Sequence, residues 1–175
     1  MIILVEGIDK SGKTTFINTL KTHIPSTRIF KNAIKPGKGD VEIGRIAGVY
    51  QGAYQFANMI KDKNFIVFDR SHITEIVYSY LRGYESSEKI DWRKIEGELL
   101  KDAVIVYNYA PPSIISQRFK TDKEDYVREE EILNIITRYE AYLESTKIPY
   151  VTISSLDSVD SNLAKVVTFI SKQEK

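Results

Sequence analysis

The chemistry-bearing residues are densest at the start of the chain, where Gly7-Ile8-Asp9-Lys10-Ser11-Gly12-Lys13-Thr14 matches G-x-x-x-x-G-K-[ST] without a mismatch. Glycines let such a loop curl until its N–H groups converge on phosphate oxygens, and the positive end of a following helix adds to the attraction. Lys13 is placed to reach the β- and γ-phosphates of ATP, and the Thr14 hydroxyl to ligate Mg²⁺. A second constellation follows Phe65-Ile66-Val67-Phe68, an apolar run that ends in Asp69 and Arg70. A carboxylate at a strand end beside the loop suits a Mg²⁺-organising role, and a guanidinium forks around phosphate oxygens. The bland alternative is an ion pair at the strand end. His72 could serve as a base, although a single His after a strand more often caps a helix or packs.

These residues need a frame that brings two strand ends together. Ile2–Val5, Phe65–Phe68, Val104–Tyr107 and Tyr150–Ile153 read as buried strands, with a weaker fifth at Arg28–Phe30. Helical spacing fills the intervals: 14–23, 41–61, 74–81, 92–100, 112–119, 129–144 and 162–171. Near-continuous apolar strands alternating with helices predict a three-layer α/β fold, a five-stranded parallel sheet with helices on both faces, and ligands at the carboxyl ends of the strands. Residues 31–40, which hold Lys35-Pro36-Gly37-Lys38-Gly39, and the charged segment 120–128 read as loops that close over a ligand.

Bulk properties narrow the function. A chain of 175 residues, 42% hydrophobic and 28% charged, predicts one domain over residues 1–175. A formal net charge of +1 gives no global field to recruit nucleic acid or an anionic membrane, so an anion site must be local. The sequence has no Cys, and no apolar stretch approaches the roughly 18 residues of a membrane span, which together suggest a cytoplasmic protein.

The segment from Glu6 to Thr15 resembles the thymidylate kinase form of the loop, with an acidic residue two places after the first Gly. Asp69-Arg70 is similar to that family's Asp-Arg motif, Val77-Tyr78-Ser79 to its Ala-Tyr-Gln run, and the stretch from Asn108 to Phe119 with Arg118 to the approach to its lid, here about 120–128. Arg138-Tyr139 resembles the start of the helix after that lid. The resemblance implies a P-loop kinase that uses Mg²⁺ and ATP to phosphorylate a deoxynucleoside monophosphate, dTMP to dTDP before others. By it, Asp9 accepts a hydrogen bond from the acceptor's 3′-hydroxyl, Arg70 holds the acceptor's phosphate, Tyr78 belongs to the acceptor site, and Lys10 or Arg118 attends the transferring group. Lys120, Lys123 and Arg128 are further lid candidates. Arg45 is the nearest basic residue to the position that reads the base, whereas Tyr50 and Tyr54, four apart on one helical face, fit the core better than a ligand platform. The resemblance also implies a homodimer.

The chain departs from the family pattern at Ser71, where an aromatic residue is usual, and in its short length. Asp69-Arg70-Ser71 is similar to the Glu-Arg-Ser run of deoxynucleoside kinases, which leaves a nucleoside acceptor as the alternative, with Asp69 as base. A non-catalytic ATP- or GTP-binding switch is the rival from another class. The chain shows neither an Asn-Lys-x-Asp nor an Asp-x-x-Gly run of that kind.

Overall fold

The computed structural model describes residues 1–31, 40–121 and 127–173, with residues 40–43 described only as part of their helix. The run Lys35–Gly39 and Lys123, both singled out in the sequence, lie outside the described residues. Five strands, β1 (Ile2–Glu6), β2 (Thr27–Lys31), β3 (Phe65–Asp69), β4 (Ala103–Tyr109) and β5 (Tyr150–Ser154), form one sheet in the order β2-β3-β1-β4-β5. Every pairing is parallel, and the register sets Val5 beside Asp69 and Glu6 beside Tyr107. The helices are α1 (Lys13–His23), α2 (Asp40–Ile60), α3 (His72–Tyr78), α4 (Ser86–Lys89), α5 (Trp92–Leu99), α6 (Pro112–Thr121), α7 (Ile132–Ser145) and α8 (Val159–Gln173).

The pleat of the three central strands explains the layers. Ile2, Leu4, Ile66, Phe68, Ile105 and Tyr107 point into a core shared with α2, α3, α5, α6 and α7. Their neighbours Ile3, Val5, Val67, Val104 and Val106 point the other way, onto Phe16, Ile17 and Leu20 of α1 and Leu163, Val166 and Ile170 of α8. Both faces of β1, β3 and β4 are therefore dry, which is why these strands read as unbroken apolar runs. At the sheet edge β5 instead alternates, with Val151 and Ile153 buried and Tyr150 and Thr152 exposed. Tyr50 and Tyr54 lie in the core, 4% and 0% exposed.

The helix expected from residue 74 begins at His72, because Ser71 caps it: its Oγ accepts from the Ile73 N–H at 3.2 Å. That helix also ends early, at Tyr78, and runs on as a 3₁₀ turn over Ser79–Arg82. Among the described residues, no helix is long and apolar enough to cross a membrane.

Candidate active site

The loop after β1 is built around two tight approaches. A Cβ on Gly7 would stand 2.4 Å from the Asn108 carbonyl oxygen at the end of β4, so only Gly lets the loop pass beside that strand. Gly12 precedes α1 with φ of 98°, and α1 has neither a side-chain cap nor an acidic residue in its first turn. The positive end of its dipole is thereby left to an anion. Asn108 braces the loop, facing the Ser11 carbonyl and the Lys13 N–H at 3.2 Å each in the amide orientation that satisfies both.

Lys13 is 6% exposed and donates to the carbonyls of Gly7 at 2.8 Å and Ile8 at 2.7 Å. Burial, and after it the positive charge of Arg70, lower its pKa to about 7, against the pull of Asp9, Glu6 and Asp69. Across the loop, Arg70 has a left-handed backbone with φ of 71° and ion-pairs with Asp9 through Nη2. Burial works against the charge of Arg70, but Tyr78, Tyr139, Asp9 and Glu6 more than offset it and raise its pKa. The Tyr78 hydroxyl accepts from the Asp9 N–H and donates to Asp9 Oδ2, both at 3.3 Å, and the Arg70 guanidinium lies 5.5 Å from the centre of its ring. From α6, Arg118 reaches back and donates to the Lys10 carbonyl at 2.7 Å.

These groups line one cleft of about 490 Å³: Asp9, Lys10, Gly12, Lys13, Thr14, Thr15, Asp69, Arg70 and Arg118. The structure thus brings together residues from the loop after β1, the start of α1, the end of β3 and α6. Arg45 is exposed on α2 and is not among the lining residues. Lys120 and Arg128 lie at the surface, paired with Glu129 at 3.5 Å and Glu130 at 2.8 Å. His72 is fully buried, between the Tyr54 hydroxyl at 2.7 Å and Glu96 Oε1 at 3.0 Å, so it packs in the core. A larger hollow of about 580 Å³ lies between α3, α5 and α7, but its Arg93 and Arg138 are engaged by Glu96 and Glu85. The smaller cleft, unlike this hollow, gathers the residues of the G-x-x-x-x-G-K-[ST] loop with Asp69, Arg70 and Arg118. Sequence reasoning gave no role to Asn108 or Glu6. The buried carboxylate of Glu6, one residue before the loop, was the available signal, since an acid ending an apolar strand needs a partner.

This geometry has counterparts. No protein-family model matches the chain. The Probable thymidylate kinase 1 of Saccharolobus solfataricus is 29% identical to it, over 83% of each chain. The SPbeta prophage-derived uncharacterized protein YorR of Bacillus subtilis is 21% identical over 97% of this chain and 98% of its own. The chain is a nucleotide kinase whose sequence is similar to that of a thymidylate kinase.

Solved structures agree on its fold. The crystal structure of YorR from Bacillus subtilis in complex with phosphorylated GDP superposes with a TM-score of 0.71 at 18% identity, covering 99% of the kinase and 97% of YorR. Deoxyadenosine kinase from M. mycoides gives 0.65 at 13% identity, covering 98% and 100%. Thymidylate kinase from Candida albicans gives 0.61 at 18% identity, covering 99% and 92%.

Proposed function

We propose that the kinase transfers the γ-phosphoryl group of ATP to a deoxynucleoside monophosphate, with dTMP as the preferred acceptor. The observation that carries this reading is the second anion-binding group in the cleft: Arg70, held by Asp9 and Tyr78, stands opposite Lys13 in the same cavity. A loop that binds one phosphate chain needs only Lys13 and the start of α1. A second guanidinium suits an acceptor that is itself a phosphate. The similarity to the Probable thymidylate kinase 1 supports dTMP within that class.

In this reading the triphosphate lies on residues 7–14, and Lys13 turns from the Gly7 and Ile8 carbonyls to the β- and γ-phosphates. Thr14 and Asp69 line the cleft with hard oxygen donors that suit Mg²⁺. The described residues contain no cluster of three or more His, Cys, Asp or Glu that could hold a metal, so phosphate and water oxygens would complete the ion's shell. Bound there, Mg²⁺ would neutralise phosphate charge. Arg70 fixes the acceptor's phosphate in line, Asp9 orients its sugar, and Lys10 and Arg118 supply charge beside the transferring group. An oxygen of the acceptor phosphate attacks the γ-phosphorus as the bond to the bridging oxygen of ADP breaks. That oxygen is already anionic, so no general base is required, and catalysis is positioning and charge neutralisation.

A homodimer belongs to the same reading, supported by Val49, Phe56 and Met59, which are 52%, 50% and 80% exposed and repeat at helical spacing along α2. The deciding experiment measures ADP release from Mg·ATP across nucleoside monophosphates and free nucleosides, with Lys13→Ala as control. Turnover greatest with dTMP and lost in the variant is expected. Turnover with nucleosides alone would reassign Asp69 as a base, and silence throughout would leave a binding switch.

A further inference from the structure

The backbone at Arg70 is unusual for a residue with a side chain: a φ of 71° is sparsely populated outside Gly and persists only where the surroundings fix it. One constraint comes from the neighbouring strand β1, since the Arg70 N–H donates to the Val5 carbonyl at 3.1 Å. The other is Glu6. Its carboxylate is 1% exposed, and each oxygen accepts two hydrogen bonds. Oε1 takes the N–H of Ser71 at 2.6 Å and its hydroxyl at 2.7 Å. Oε2 takes the hydroxyls of Thr74 at 2.7 Å and Tyr139 at 3.1 Å. Thr74 Oγ1 in turn accepts from Arg70 Nη1 at 3.4 Å.

A carboxylate with all its acceptor sites filled by fixed donors is a rigid anchor. Glu6 therefore grips Ser71, the residue that follows Arg70, and Thr74 in the first turn of α3, whose hydroxyl meets the Arg70 guanidinium. It does so from the last residue of β1, whose backbone runs straight into Gly7. We propose that Glu6 is a positioning residue that sets the Arg70 guanidinium against the phosphate loop, so that the acceptor's phosphate arrives in register with the triphosphate. Glu6 acts through Ser71, Thr74 and Arg70 and touches no substrate. The inference rests on the kinase reading above, in which Arg70 holds the acceptor.

The test separates acceptor binding from ATP binding. Glu6→Gln keeps the shape but turns one acceptor into a donor, and should raise the acceptor KM by about tenfold while the ATP KM moves by less than about twofold. Thr74→Val breaks the link between Glu6 and Arg70 at a partly buried hydroxyl and should show the same one-sided rise, which Thr74→Ser should restore. Equal changes in both KM values, or none, would overturn the brace while leaving the kinase standing. If the wild-type protein turns over no acceptor, the kinase reading fails instead. The brace is then read directly by NMR without nucleotide: the Arg70 Nη1–H protons, which donate to Thr74, should exchange slowly with water in the wild type and faster in both Glu6→Gln and Thr74→Val. Unchanged exchange in the two variants overturns it.

Discussion

Among single residues, Lys13 makes the sharpest claim, because its environment differs so much between the empty and the occupied loop. In the empty protein burial and Arg70 bring its pKa to about 7. A bound triphosphate adds several negative charges within reach and restores the protonated form. The sign follows. Well below pH 7 Lys13 is protonated in both states, whereas at pH 8 the empty protein has largely lost the proton that the complex retains. Binding of Mg·ATP at pH 8 should therefore take up protons at Lys13. Calorimetric titration in buffers of different ionisation enthalpy measures this, with Lys13→Met subtracting the nucleotide's own protons. Release instead of uptake, or no difference from the variant, would refute it. The Lys could be read from the motif, but its lowered pKa could not, because Arg70 lies 57 positions away in sequence (70 − 13) and meets it only through the pairing of β1 with β3.

Elements were legible where local pattern and tertiary environment agree. The five apolar runs all became strands and the long periodic stretches became helices, because burial on both faces of the central strands leaves little freedom of composition. The short helix α4, a single turn with no apolar period of its own, was not legible. Nor was the join between α2, α3, α5 and α7, which runs through polar groups with no sequence spacing in common. Glu96 of α5 accepts from the Tyr142 hydroxyl of α7 at 2.7 Å and meets His72 of α3, whose other ring nitrogen meets Tyr54 of α2. Burial alone would raise the Glu96 pKa, but the hydrogen bond and charge of His72, with Tyr142 and Arg93, hold it below its ordinary 4.5. A carboxylate with a depressed folded pKa contributes stability that is complete above about 4.5 and is lost as pH falls through the lower folded value. Glu96→Gln should cost about 2 kcal/mol near neutral pH and flatten the acid limb of stability. Urea midpoints between about pH 3 and 7 decide it, and parallel curves for wild type and variant would sink the assignment.

For the whole molecule, the central strands tie the two cores into one unit. β1, β3 and β4 each send alternate side chains into both cores, so opening either layer of helices exposes one face of strands the other still needs. We propose that the described chain unfolds cooperatively, as a single domain. The single tryptophan gives a one-sided probe: Trp92 of α5 is 3% exposed, donates to Ser86 Oγ at 3.1 Å and packs beside His72 and Tyr50 on one face of the sheet only. Far-ultraviolet dichroism reports both layers. Denaturation followed by Trp92 fluorescence and by dichroism should give superimposable curves, since two-state unfolding leaves no state in which one layer has melted alone. If a second copy covers Val49, Phe56 and Met59, the common midpoint must also rise with protein concentration, and Phe56→Glu must abolish that rise by placing a charge in the contact. Curves that separate would divide the molecule at the sheet, and a midpoint indifferent to concentration would make the α2 face an ordinary exposed surface of a monomer.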